Sequence, residues 1–195
     1  RRAAGLGSAS REPDPDKYEK AYAHCDLLVI GAGPAGLMAA LAGARSGGRV
    51  ILADEGSALG GSLLFEREEI AGVSGYDWAQ DVIGELASMP NVTLMPRTTV
   101  FGWFDGNICG AVERVNDHVP APSPYEPRQR YWRILAKKAV LAAGAEERPI
   151  AMGGNDIPGV MVASAMRHYA NRHAAASGRS VVVFTNNDSG YRTAR

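Results

Sequence analysis

Asp26-Leu27-Leu28-Val29-Ile30-Gly31-Ala32-Gly33-Pro34-Ala35-Gly36 decides the fold, together with the small-residue run to Ser46 and the segment Arg49-Val50-Ile51-Leu52-Ala53-Asp54-Glu55. The short apolar run 27–30 has the character of a strand buried on both faces. Residues 37–46 read as a helix that Gly47-Gly48 ends, and 49–53 as a second strand. The segment is therefore a strand–helix–strand unit of crossover type. Residues 27–44 carry no charge, which formally meets the length of a membrane span. Pro34 and three glycines within six residues break a lone helix there, so the strand reading stands and no membrane association is expected.

Gly31, Gly33 and Gly36 form a GxGxxG fingerprint in the context that gives it meaning: a strand before, a helix after, an acid at the end of the next strand. Gly31 allows the tight turn, Gly33 lacks a side chain that would block a pyrophosphate, and Gly36 lets helix and strand approach. The free amides of the helix start, around Ala35 and Gly36, together with the helix dipole, hold phosphate oxygens. Asp54 is placed to accept hydrogen bonds from ribose hydroxyls, with Glu55 and Gly56 beside it. No basic residue is expected at that corner to receive a 2′-phosphate, so NAD or FAD is expected rather than NADP. Gly60-Gly61 suits a loop folding back over the pyrophosphate, where Ser62 offers a hydroxyl. Val100 is a candidate for main-chain contact to adenine, though a core role fits it better.

Outward from this unit, 78–88 reads as an amphipathic helix and 92–95 as a third buried strand. Residues 98–104 and 108–115 flank Asp105-Gly106-Asn107 and read as a hairpin. A Pro-rich loop over 116–129 leads to a strand at 130–135, completing a three-stranded meander. Short strands at 139–142 and 181–184 and a helix at about 163–174 follow. The fold class is α/β: a Rossmann-like parallel sheet with a three-stranded antiparallel meander. Residues 1–24 read as a linker or arm, 25–150 as a dinucleotide-binding domain, and 151–195 as a connecting helix and the start of a second, degenerate nucleotide unit. In that unit Thr185-Asn186-Asn187-Asp188-Ser189-Gly190 keeps only Gly190 of a fingerprint. A first residue Arg1 and a last residue inside a new unit suggest a piece of a longer polypeptide, incomplete at both ends.

Lys+Arg and Asp+Glu both number 21 among 195 residues, so no basic excess points to nucleic acid. Cys25 and Cys109 form no CxxC pair, which suits a reducing compartment, the cytoplasm, and argues against disulfide-oxidoreductase chemistry of the glutathione-reductase kind. His24, His118, His168 and His173 are scattered. His168 and His173, five apart, are expected on different helix faces, so no metal site is expected. No residue is a defensible catalytic acid, base or nucleophile.

The fingerprint, the Asp54…Gly60-Gly61 spacing, the meander and Ala142-Ala143-Gly144-Ala145…Arg148-Pro149 together resemble the glutathione-reductase-like two-dinucleotide flavoprotein superfamily. Where that superfamily has Ala-Thr-Gly, Ala143 offers no hydroxyl, and Gly144 keeps the backbone contact. Longer strings narrow the resemblance: Asp14-Pro15-Asp16-Lys17-Tyr18-Glu19, Ala23-His24-Cys25-Asp26, Pro127-Arg128-Gln129-Arg130, Glu147-Arg148-Pro149 and Thr185-Asn186-Asn187-Asp188 are similar to the alpha-subunit family of heterotetrameric sarcosine oxidases. That resemblance implies NAD in this chain, FAD and the amine substrate on a beta subunit, FMN between the two, and further gamma and delta subunits. It implies oxidation of sarcosine to glycine, with electrons passed to oxygen and the methylene to tetrahydrofolate. The other readings are a self-sufficient FAD-dependent amine or pyridine-nucleotide oxidoreductase, and a non-catalytic nucleotide-binding structural subunit.

Overall fold

A computed structural model describes residues 11–194. Its frame is a six-stranded sheet of order β5 (Val92–Met95), β2 (Val50–Ala53), β1 (Tyr18–Ile30), β8 (Gln129–Leu141), β7 (Ile108–Arg114) and β6 (Thr98–Phe104). β1, β2, β5 and β8 are mutually parallel, whereas β6 and β7 continue from β8 as an antiparallel meander. Helices α1 (Pro34–Arg45) and α2 (Gly75–Ser88) cover one face of the parallel strands, and β3 (Glu69–Ile70) and β4 (Val73–Ser74) form a small hairpin before α2. α3 (Ala163–His173) and the single turn α4 (Tyr191–Ala194) follow β8.

β1 and β8, 13 residues each, pair in register from Tyr18↔Gln129 to Ile30↔Leu141 and run through both parts of the sheet. Their side-chain alternation slips midway. Ala23 and Cys25 share a core with Leu28 and Ile30, as Ile134 and Ala136 do with Ala139. The cause lies at Asp26. Its amide and that of Leu27 both donate to the Arg49 carbonyl (2.9 and 3.1 Å), so two β1 residues face the single residue just before β2, the mark of a β-bulge. The Asp26 carboxylate secures the bend through the Arg49 amide (2.9 Å), the Arg49 guanidinium (3.1 Å) and the Lys137 ammonium (2.7 Å).

The bend produces two cores. Val29, Leu37, Leu41, Leu52 and Leu86 fill the space between strands and helices. Cys25, Leu28, Ile51, Met95, Cys109, Ala111 and Ile134 form the second. Ile51 of β2 and Ala111 of β7 share that core although two strands separate them in the sheet, so the meander curls over the other face of the parallel strands. Cysteine and alanine at the contact keep the layers close, and fully burying each of the larger aliphatic side chains contributes about 1.5–3 kcal/mol.

Several expectations change. The arm expected through residue 24 is strand from Tyr18 onward, and the expected boundary at 25 falls inside β1. Residues 1–10 of that arm lie outside the described residues. The strands expected at 130–135 and 139–142 are one strand, because the bend lets β8 serve both layers. Helix α2 starts at Gly75 rather than 78, since Ser74 Oγ accepts from the Asp77 amide (3.1 Å) and caps it. Segment 66–74 contains the β3–β4 hairpin, turned at Ala71 and Gly72 with φ of 54° and 82°. The run Val181-Val182-Val183-Phe184 is not a strand: Val182 is 92% and Phe184 67% exposed, and no described strand lies beside it to complete a ladder. Among the described residues no helix is long and apolar enough to cross a membrane.

Candidate functional site: a dinucleotide cradle

The C-terminal ends of β1 and β2 meet the N-terminus of α1. Gly31, at φ 99°, turns the chain out of β1, and a β-carbon there would come within 2.5 Å of the Ala142 carbonyl oxygen. A β-carbon on Gly36 would collide with the Gly31 carbonyl. These two glycines are required by packing. Gly33 differs: nothing lies within 4 Å of where its β-carbon would be, and its φ of −70° suits any residue. Its lack of a side chain keeps a space open.

That space faces the start of α1. Gly33 is the N-cap and gives no side-chain cap, Pro34 at the first helical position has no N–H, and the first turn holds no acid. Leu37 N–H bonds the Gly33 carbonyl (2.9 Å), whereas the amides of Ala35 and Gly36 have no protein acceptor among the described residues. Two free amides and the positive end of a 12-residue helix are an anion site. Gly61, at φ 56°, backs onto Gly33: a β-carbon there would stand 2.7 Å from Gly33 Cα. The Gly60 amide donates to the Ala32 carbonyl (2.9 Å), tying this second loop to the first. Ser62, second in the 3₁₀ turn Gly61–Leu64, is exposed, and its hydroxyl has no hydrogen-bond partner among the described residues.

Asp54 is more deeply engaged than its sequence position suggests. Oδ2 accepts from the Ala32 amide (2.6 Å) and Oδ1 from the Gly56 amide (2.7 Å). The carboxylate thus ties the fingerprint loop to the turn after β2, and the lone pairs left over remain for hydroxyl donors. Gly56 fits closely, since a β-carbon would lie 2.9 Å from Asp54 Oδ1. The Glu55 carboxylate is exposed, and its carbonyl accepts from the Arg114 guanidinium. The Arg97 amide donates to the Gly56 carbonyl (2.8 Å), with Arg97 itself at φ 55°.

This corrects the expectation that no basic residue stands at the ribose corner: two arginines do, brought there by β5–β6 and β7. Neither neighbours Asp54 in the chain, so no local signal marked them. Arg114 is bonded to a carbonyl, and the Asp54 carboxylate still opposes a 2′-phosphate.

Gly144, at φ 74°, follows β8 with open space beside it, and Ala142 joins the cradle by donating its amide to the Ile30 carbonyl (2.8 Å). Val100 lies on β6 opposite Ala111, its side chain packed against the second core. β6 is an edge strand, so half of its main-chain groups have no ladder partner.

Gly31, Gly33, Ala35, Gly36, Asp54, Glu55, Gly56, Gly61, Ser62 and Gly144 thus surround the junction of β1, β2, β8 and α1, and Val100 flanks it.

The other reactive groups stand apart. Cys25 and Cys109 are free and buried; burial pushes the Cys25 thiol up to about 11 and raises that of Cys109 as well. His168 and His173, expected on different faces, stack at 5.2 Å, and His168 also stacks on Phe65 at 4.6 Å. His173 is the last residue of α3, where the helix gives way to Ala174 at φ 50° and the ring can turn back.

Comparison with known proteins agrees with this geometry. The family model described as pyridine nucleotide-disulphide oxidoreductase matches residues 25–183. The chain is 61% identical over its whole length to the sarcosine oxidase subunit alpha of Rhizobium meliloti (strain 1021), and 44% identical over 96% of its length to that of Corynebacterium sp. (strain P-1). It spans 20% of the length of each. Among solved structures, L-proline dehydrogenase from P. horikoshii superposes with a TM-score of 0.67 at 26% identity, over 83% of this chain and 31% of that one.

Proposed function

The chain belongs to the pyridine nucleotide-disulphide oxidoreductase family, and from that premise we propose that it is the NAD-holding part of the alpha subunit of a sarcosine-oxidase-like complex. The observation that carries the nucleotide assignment is the open space at Gly33 beside the uncapped amides of Ala35 and Gly36. The extended identity to sarcosine oxidase alpha subunits supports the assembly.

The cradle's residues divide the work of holding. The Ala35 and Gly36 amides, aided by the α1 dipole, neutralise the pyrophosphate, and Ser62 adds a hydroxyl donor. Gly61 closes the back of the site by lying flat against Gly33. Asp54 accepts from the ribose hydroxyls on lone pairs not used by Ala32 and Gly56, with Glu55 beside it. Main-chain groups of Val100 face the adenine, and Gly144 brings backbone close without a side chain. NAD, when bound, accepts or delivers a hydride.

No residue of this stretch is assigned as a catalytic acid or base. Buried thiols with raised pKa are poor nucleophiles, so the disulfide chemistry in the family's name is absent from this stretch. Amine oxidation then belongs to a partner: a beta subunit carrying FAD, with FMN at its junction with alpha and gamma and delta subunits completing the assembly in the cytoplasm. The nucleotide-binding unit runs from β1 to about residue 150, and 151–195 forms the connection to a second unit. Mass spectrometry of the small molecule released on denaturing the full-length protein tests the assignment. NAD is expected. FAD in stoichiometric amount overturns the choice of nucleotide, and no dinucleotide overturns the cradle.

A further inference from the structure

We propose that the outer face of the meander docks a carboxylate-bearing surface of a second, different polypeptide, with Lys20 and Arg133 as its anchors. The inference rests on the reading of this chain as a subunit of an assembly and assigns the face by which it assembles. The two faces of the sheet formed by the first halves of β1 and β8 differ in how their charges are paired. On the inner side every ion has its counter-ion: Arg130 lies between Glu19 (2.6 Å) and Glu113 (2.9 Å), and Trp132 Nε1 donates to Glu113 (2.7 Å). On the outer side, the alternate positions from Tyr18 to His24 and from Gln129 to Leu135 include no Asp or Glu. Lys20 and Arg133 there have no carboxylate partner among the described residues, and Asp14 reaches only the margin, on the Tyr18 hydroxyl (2.8 Å).

The cations are set in an aromatic surround. Lys20 pairs in register with Tyr131 and Tyr22 with Arg133, and the four residues with Ala21 line a depression of about 140 Å³. Phe101 and Phe104 extend the face, their rings lying against Gly110, where a β-carbon would stand 2.7 Å from the Phe101 ring. Tyr22 is 64%, Phe101 53% and Phe104 52% exposed. An exposed patch of Tyr, Phe and Arg has the composition of a protein interface core rather than of open surface. Its excess charge is uniformly positive, so the complementary surface is acidic. The depression is well below the roughly 300–1,000 Å³ of small-molecule pockets and suits one inserted side chain. The balanced charge of the chain argues against nucleic acid as occupant.

Zero-length carbodiimide coupling of the natively purified assembly, followed by peptide mapping, tests the inference. An isopeptide bond from Lys20 to an Asp or Glu of another kind of subunit is expected. Lys20→Glu with Arg133→Glu is expected to remove that subunit from the co-eluting peak without changing the thermal midpoint or nucleotide content of the chain, whereas Lys20→Arg retains the subunit but forms no link. An intact assembly in which Lys20 stays unlinked and is freely acetylated overturns the surface and leaves the assembly standing. A link to a second copy, to another stretch of the same polypeptide, or bound nucleic acid at this face overturns it too. A single polypeptide on gel filtration overturns both readings.

Discussion

Gly33 and Gly36 sit three residues apart in one motif, yet the structure assigns them failures of different kinds. At Gly33 a β-carbon would meet no protein atom within 4 Å, and the backbone conformation is one any residue adopts. Gly33→Val therefore costs folding little, under about 1 kcal/mol for a change at an uncapped N-cap. It fills the space in front of the Ala35 and Gly36 amides. Losing two hydrogen bonds to a charged phosphate, at about 1.5–3 kcal/mol each, removes about 3–6 kcal/mol of binding, or more than a hundredfold in affinity. Gly36→Ala has the reverse effect: its methyl group collides with the Gly31 carbonyl, a rigid backbone contact, and overpacking of that kind costs about 1–3 kcal/mol or more. The assay is paired: thermal midpoint and released dinucleotide, measured on the full-length protein for each variant. Gly33→Val is expected to be folded and empty, and Gly36→Ala to be destabilised first. A folded Gly33→Val protein with a full complement of dinucleotide, or two variants unfolding alike, refutes the division.

Asp54→Asn leaves one oxygen to serve two backbone amides, so NAD titration should show a loss of about 1.5–3 kcal/mol, together with faster hydrogen exchange at Ala32 and Gly56; unchanged exchange would detach Asp54 from the loops. Cys25, with its thiol pushed up to about 11, should resist iodoacetamide at pH 8 in the native protein and react fully in denaturant; ready native labelling would contradict its burial. The His168 imidazole, held below its ordinary value first by burial and then by Arg172 and His173, is disfavoured as a cation in the folded protein. The unfolded chain then binds more protons as pH falls below about 6.5, so α3 should be protected from exchange at pH 7.5 and less so at pH 5.5. Equal protection at both, or the same loss in His168→Gln, would remove His168 as the cause.

The fingerprint, the first strand–helix–strand unit and the meander were legible because their signals are local: glycines at fixed offsets, a short apolar run, an Asp-Gly turn. The first half of β1 was not. Its inward positions Glu19, Ala21 and Ala23 are too weakly apolar to show an alternating pattern, while Tyr18, Lys20 and Tyr22 face out. Two successive amides on one carbonyl at Asp26 leave no trace in composition, so β8 read as two strands. At the candidate site, the expected residues other than Val100 stand by a strand end or helix start, where sequence spacing determines position. The arginines at the ribose corner come from distant strands, and only tertiary structure brings Arg97 and Arg114 to Glu55 and Gly56.

The long pairing of β1 with β8 has a consequence for biogenesis. Glu19 and Arg130, ion-paired across the two strands, are 111 residues apart, so the central ladder closes a very long loop, a topology associated with slow folding. During synthesis β1 emerges long before its partner. It waits with one edge unpaired, exposed to mispairing with other nascent chains. The cradle inherits the delay, because Ala142 donates to Ile30 and abuts Gly31 only once β8 has docked along its full length. Nucleotide retention therefore reports completed folding. Dinucleotide present during refolding should raise the yield of native protein by trapping the closed ladder, acting late and leaving the early formation of the β1–α1–β2 unit unchanged.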